Sequence, residues 1–367
     1  MRNRLPGYRK GFRILSLALD EITRDDLTLE KVEFIYVQSD SIEIYPEKEI
    51  LSQDEDCIRE LRKYNNYDVL GISENGLVYR YYDDSSTENA LFITEKCNSN
   101  CIMCPSPDYS RQRGEGMEIS DLITIAGHIP SDTSHITVTG GEPFMAGKQI
   151  FELFAFCRQK FQDTEFLILT NGRIFAVKEY CDLLKKTIPA HCIIGIPIHG
   201  SIPEIHDRLT RSENSYAQTM LGLKRLQEYE IQIEIRIVVC KENLEDIERI
   251  ADLIIRNFPR VHHVNIMAME MTGNAHINAD ILWVPYKESF KYVKKGIDKL
   301  IASGIDVMLY NYPLCTVDRG YWMLCAKSIS SWKIRFGEEC GRCSVKESCG
   351  GVFAGSIKRE SNELKAI

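Results

Sequence analysis

Six short apolar runs alternate with amphipathic helical segments along most of the chain, and this alternation restricts the fold more than any other feature. The runs fall at 91–94, 135–139, 166–170, 192–198, 232–239 and 262–267. Segments of helical periodicity lie between them at 120–127, 148–161, 174–186, 215–229 and 244–256. A further one, 287–303, stops at Gly304. In segment 244–256, Leu244, Ile247, Ile250 and Ile254 make one stripe, with Asn243 placed as its N-cap. Strands that each require a helical crossover are parallel strands, so the class is α/β, built as a partial (β/α)6 barrel. Ligands of such folds gather beyond the C-terminal ends of the strands.

The flanks read differently. Residues 1–88 are strand-rich, with near-alternation at 31–44 and 69–82 and a turn signal at Glu74, Asn75 and Gly76. The polar stretch 83–89 reads as a linker. The expected division is an accessory unit at 1–88, the barrel at 89–304 and an extension at 305–367. A hydrophobic content of 44% is enough for a folded core. No apolar run approaches the roughly 18 residues of a membrane span. The basic residues at the N-terminus lead into no apolar segment, so no secretory signal is expected and a cytoplasmic location follows. The net charge of −8 argues against broad nucleic-acid binding.

Thirteen cysteines without a secretory signal fit metal better than disulfides. Cys57, Cys157, Cys181, Cys192 and Cys240 are scattered among apolar neighbours and read as buried thiols. The other cysteines are concentrated. Cys97, Cys101 and Cys104 follow the first strand with C-x3-C-x2-C spacing. Three thiolates at that spacing suit three irons of a [4Fe–4S] cubane and leave the fourth iron open. A zinc site calls for four ligands in paired C-x2-C geometry. The second group, Cys340, Cys343 and Cys349, has C-x2-C-x5-C spacing, with Cys315 as candidate fourth ligand and Cys325 as its alternative. Four thiolates suit an auxiliary cluster or a structural zinc.

The first cysteine group closely resembles the signature of the radical S-adenosylmethionine (SAM) superfamily. The resemblance extends to Gly140, Gly141, Glu142 and Pro143, which end the second strand as that superfamily's G-G-E-P element. In those enzymes the cluster's open iron is chelated by SAM. The resemblance implies further contacts to that cofactor. Met103 would lie against adenine, as would Met269 more weakly, while Asn171 and His199 end the third and fourth strands beside the ligand. Arg236 sits in an otherwise apolar strand and must be paired. The SAM carboxylate, Glu234 and Glu142 are its candidate partners.

The second cysteine group resembles the SPASM and twitch auxiliary-cluster domains, implying one auxiliary [4Fe–4S] cluster. From residue 91 to about 356 the chain resembles the radical SAM maturases of His-Xaa-Ser peptide systems, from whose pattern Cys325 and Val352 depart. That resemblance implies a peptide or protein substrate with His-Xaa-Ser repeats, an electron donor, and a sister maturase alongside. Residues 1–88 would hold the substrate by strand addition or serve as packing. The competing readings are a radical SAM enzyme acting on a small molecule or RNA, and a non-catalytic zinc-binding scaffold. No residue stands out as the hydrogen donor; Tyr310, Tyr312 and Cys325 are candidates.

Overall fold

The computed structural model describes Arg4, Leu5, Tyr8 and residues 11–367. Most of the basic N-terminal stretch lies outside the described residues. The N-terminal unit is a six-stranded sheet of β1 (Arg13–Ala18), β2 (Phe34–Val37), β3 (Ile42–Tyr45), β4 (Glu49–Ser52), β5 (Val69–Ile72) and β6 (Val78–Tyr82), in the order β4-β3-β2-β1-β5-β6. Only β1 and β2 run parallel, because helix α1 (Glu21–Glu30) crosses between them. Asp20 caps that helix by accepting from the Thr23 N–H at 2.8 Å, a signal the alternation-based reading passed over. A second helix, α2 (Glu55–Leu61), precedes β5.

The polar stretch 83–89 is an ordered loop. The Asn89 side chain accepts from the Asp83 N–H at 2.8 Å and donates to the Asp83 and Ser86 carbonyls. Two buried contacts then join the unit to the rest of the protein. Ser16 Oγ meets His128 Nδ1 at 2.9 Å, and Tyr82 Oη meets Thr133 Oγ1 at 2.9 Å.

The second sheet contains β7 (Ala90–Phe92), β8 (His135–Thr139), β9 (Glu165–Leu169), β10 (His191–Pro197), β11 (Ile233–Val239), β12 (His263–Ala268), β13 (Val307–Tyr310) and β14 (Cys325–Ala326). They lie side by side in chain order and every neighbouring pair is parallel. The sheet therefore runs two strands beyond the six read from the sequence. Four residues separate the helix Tyr286–Ala302 from strand β13, and β14 is only two residues long, too short to leave an apolar signature.

The helices in order are α3 (Asp108–Arg113), α4 (Ile119–His128), α5 (Ile150–Lys160), α6 (Lys178–Thr187), α7 (Pro203–Thr210), α8 (Ser215–Glu228), α9 (Ile247–Asn257), α10 (Gly273–Ile277), α11 (Ala279–Leu282), α12 (Tyr286–Ala302) and α13 (Ile357–Glu360). A short antiparallel pair, β15 (Ile334–Arg335) and β16 (Val352–Phe353), lies in the C-terminal part. Asn243 does not cap α9. A 3-10 turn over Lys241–Asp246 precedes that helix, and the buried Asn243 side chain instead donates to the His199 and Val238 carbonyls at 3.1 and 3.0 Å.

The two faces of the parallel sheet differ. On β8, Ile136 and Val138 are buried while Thr137 and Thr139 are half-buried. The same alternation runs through β9 and β13. The buried face carries the helices, so the other lines an incompletely closed lumen. No helix among the described residues is long and apolar enough to cross a membrane.

One buried carboxyl sets a pH dependence for this fold. Glu360 is fully buried, and both its oxygens accept from the Tyr286 N–H, at 3.3 Å, at the first residue of α12. Burial pushes its pKa up to about 7. Because the folded value lies above the unfolded one, the associated stability is complete below about pH 4.5 and is lost as pH rises through 7. Wild type should lose on the order of 2 kcal/mol of stability between pH 5 and pH 8 from this group. Thermal melts of Glu360→Gln should lack that share of the decline, and equal slopes for the two proteins would refute the assignment.

Candidate functional site

The loop after β7 carries Cys97, Cys101 and Cys104, and all three line one cavity of about 290 Å³ at the C-terminal ends of the strands. Gly140, Gly141, Asn171, His199 and Arg236 share that wall. The structure thus brings together eight of the residues singled out above. Met103 is placed elsewhere. It is 6% exposed in an apolar cluster with Ile102, Leu209, Cys240 and Met269, off the cavity wall. Among the hydrogen-donor candidates, Tyr312 is buried and bonded to Ser289 at 3.0 Å.

The glycines serve a closer approach than that of a ligand. A β-carbon on Gly140 would meet the Thr94 carbonyl oxygen at 2.5 Å, and one on Gly141 would meet those of Glu95 and Lys96. With no side chain there, the Gly141 N–H donates to the Thr94 carbonyl at 2.7 Å and the Glu142 N–H to that of Lys96 at 2.8 Å. Glu142 is buried and faces the next strand end. Its carboxylate accepts from Thr170 Oγ1 and the Asn171 N–H, both at 2.7 Å, and from the Phe144 N–H at 3.3 Å. Burial pushes its pKa up, against the pull of these bonds. Pro143 opens the 3-10 turn that follows.

Two arginines unread in the sequence complete the loop's setting. Arg173 Nη1 donates to the Asn98 carbonyl at 2.6 Å, to Ser99 Oγ at 3.0 Å and to Ser212 Oγ at 2.9 Å. Its Nε donates to Gln218 at 2.7 Å, so one guanidinium joins the cysteine loop to α8. Arg111, its side chain 7% exposed, pairs with Asp108 and donates to the Ser106 carbonyl and the Asn100 side chain. Both arginines line the cavity. Their only sequence signals are position, two residues after Asn171 for one and i+3 from Asp108 for the other. Asn274 and Asn278 hold the loop's other flank by donating to the Cys101 and Ile102 carbonyls.

Burial dominates the electrostatics of the cavity. Burial pushes the Cys97 thiol up, and burial with the two neighbouring thiols pushes Cys101 up to about 12, Arg111 opposing both. His199 is driven down to about 3 by burial and by His206, so it is neutral. Its Nδ1 has no partner although fully buried. An orphaned buried nitrogen on a cavity wall is a place for a ligand's hydrogen bond.

Arg236 resolves differently. Its guanidinium pairs with Glu234, which His263 also approaches at 3.3 Å, and Glu142 takes no part. In the C-terminal part, Cys315, Cys340, Cys343 and Cys349 line a second, smaller cavity, which excludes Cys325. The five scattered cysteines are all buried. Among the described residues, no three Cys, His, Asp or Glu side chains converge on one point as a single-ion site. What unites each thiol set is a shared wall.

The tie made by Arg173 can be tested. Groups just outside a metal's ligands typically account for about 10–100-fold in metal affinity. Arg173→Met should lose iron to a chelator at least about tenfold faster than wild type and expose Cys97 to alkylation in the iron-free protein, with Arg173→Lys between them. Unchanged iron loss and alkylation in Arg173→Met would refute the tie.

A family model described as the Radical SAM superfamily matches residues 91–254. The chain is 25% identical over 221 residues to Fe-coproporphyrin III synthase of Methanosarcina barkeri, covering 58% of this chain and 52% of that protein. It is 26% identical over 167 residues to the antilisterial bacteriocin subtilosin biosynthesis protein AlbA of Bacillus subtilis, covering 44% and 35%. The chain thus spans about a third to a half of the length of these relatives. The structure of Streptococcus suis SuiB bound to S-adenosylmethionine aligns with a TM-score of 0.56 at 13% identity, covering 84% of this chain and 79% of that one, a likeness of fold. The chain therefore contains a radical SAM domain at residues 91–254.

Proposed function

We propose that this protein is an enzyme that cleaves SAM reductively and abstracts hydrogen from a ribosomally made peptide. The observation that carries the reading is the shared wall of three thiols, the Gly140–Gly141 turn, Asn171 and His199 with its unpartnered Nδ1. Three thiols around one cavity fit a cubane, each thiolate serving a different iron. Cys97, Cys101 and Cys104 would hold that [4Fe–4S] cluster. When bound, cluster and SAM supply one-electron cleavage to methionine and a 5′-deoxyadenosyl radical.

The chain's own residues do the rest. Arg111 offsets the charge of the thiolates. Asn171 and His199 present polar groups to the polar parts of SAM, and the loop ties from Arg173, Asn274 and Asn278 hold the ligands in place. Met103, Glu142 and Pro143 act indirectly, through packing and through the joint between loops. Cys315, Cys340, Cys343 and Cys349 would hold an auxiliary [4Fe–4S] cluster, with zinc as the competing occupant.

The peptide substrate is supported by the likeness to AlbA, whose name places it in bacteriocin biosynthesis. His-Xaa-Ser repeats are the finer proposal, with an external electron donor and a sister maturase as partners. The match to Fe-coproporphyrin III synthase supports a tetrapyrrole as the competing substrate.

Iron, sulfide and zinc analysis with electron paramagnetic resonance on anaerobically reconstituted protein tests this. Wild type should hold about eight irons, and a Cys97→Ala, Cys101→Ala, Cys104→Ala variant about four, with 5′-deoxyadenosine formation lost. About four irons with zinc would turn the C-terminal site into a structural knot, and no iron would sink the radical reading. Peptides of His-Xaa-Ser repeats should change mass with SAM and reductant. A change in coproporphyrin instead would favour the tetrapyrrole.

A further inference from the structure

Residues 361–367 lie over the second set of thiols. They leave the short helix α13, whose last residue, Glu360, is held by the Tyr286 N–H. A turn follows, in which the Glu363 N–H donates to the Glu360 carbonyl at 2.9 Å. Leu364, Lys365 and Ile367 then line the cavity that holds Cys315, Cys340, Cys343 and Cys349.

Three contacts pin this segment. Leu364 is 3% exposed and belongs to the main apolar core. A β-carbon on Gly337 would lie 3.1 Å from Leu364 Cδ1, so the glycine leaves the space that the leucine occupies. Next to Cys343, Ser344 donates twice to the Ile367 carbonyl, from its N–H at 2.9 Å and from its Oγ at 2.8 Å. Between these points a hydrogen bond from the Lys365 N–H reaches the Cys315 thiol.

The four thiols suit a metal that the protein holds alone. Cys349 Sγ accepts from the Gly351 N–H at 3.4 Å, so backbone donors reach two of the four sulfurs. Four thiolates are the full ligand set of a cubane or of a zinc ion. The cavity measures about 20 Å³, against about 290 Å³ for the first. A single water needs roughly 10–15 Å³ of such space. Neither a ligand position nor room is left for a substrate group, whereas the first site has three thiols and a wide cavity.

We propose that residues 361–367 are a fixed strap that closes the second metal site, with Leu364 as its plug and the Ser344–Ile367 bonds as its clasp. The substrate is thereby confined to the first cavity, and the second metal acts without touching it. This rests on the reading of these four cysteines as a metal site and adds that the site is sealed. Leu364 and Ser344 are positioning residues, since neither touches reacting atoms.

The test starts from the anaerobically reconstituted Cys97→Ala, Cys101→Ala, Cys104→Ala variant, in which released iron or zinc comes from the second site alone. Adding Leu364→Ala should speed metal loss to a chelator by at least about tenfold, with Ser344→Ala between it and the parent. In metal-free protein with all its cysteines, Leu364→Ala should also speed alkylation of Cys315 and Cys340 by at least about fivefold. Cys97, Cys101 and Cys104 should keep their wild-type rates. Ser344→Ala removes one hydroxyl and decides the matter should Leu364→Ala fold poorly. Metal loss and alkylation unchanged in both variants would overturn the strap, as would equal acceleration at the three cysteines of the first site. Peptides of His-Gly-Ser repeats should leave the spectrum of the second metal unchanged, read as paramagnetic resonance of a reduced cluster or as the visible bands of cobalt in place of zinc. A shift would mean that a substrate group reaches the metal, and would overturn the seal. Binding of neither iron nor zinc would remove the metal-site reading and the strap's purpose with it, an outcome distinct from unchanged rates at a loaded site.

Discussion

Two backbone hydrogen bonds, from the N–H groups of Gly141 and Glu142 to the carbonyls of Thr94 and Lys96, determine whether this protein has a site at all. They bring the loop after the first strand of the parallel sheet against the turn after the second. The contact exists because two successive residues lack a β-carbon where the other backbone passes. Glu142 extends the same joint to the third strand through Thr170 and Asn171, and Arg173 carries it on to α8. Three strand ends and a helix are thus fastened around the three thiols before any cofactor arrives. Such preorganisation matters because a cluster ligand displaced by an ångström is a poor ligand.

Much of this was legible in the sequence, and the reasons differ between elements. Strands with crossover helices announce themselves by period, and the spacing of Cys97, Cys101 and Cys104 is local, so both survive without knowledge of the tertiary structure. The glycines at 140 and 141 were visible, but their purpose was not. A sequence shows that a backbone can approach something, and only the fold shows that the something is another backbone. Arg173 and Arg111 escaped for a related reason: every group they touch beyond a few residues is brought to them by the topology. Asn243 looked like a helix cap because its neighbours have helical period. The preceding 3-10 turn shifted the helix start and left its amide to bind strand ends instead. Strand β14 was illegible for want of length, since two residues carry no period.

Charge placement follows one rule across the cavity. On the thiol side, the Arg111 guanidinium favours the ionised form of Cys97 and Cys101. On β11, the Arg236 guanidinium is already matched by Glu234. The two walls therefore differ in what they can hold, although they belong to one cavity and one sheet.

The strand lengths of the parallel sheet also carry a consequence. From β7 to β14 they run 3, 5, 5, 7, 7, 6, 4 and 2 residues, longest in the middle and shortest at both margins. A sheet left unclosed exposes a row of unpaired peptide groups at each margin, which invites other chains to add to it. Tapering reduces that row to a few groups on either side. The barrel can therefore stay open along its margins without becoming a template for aggregation.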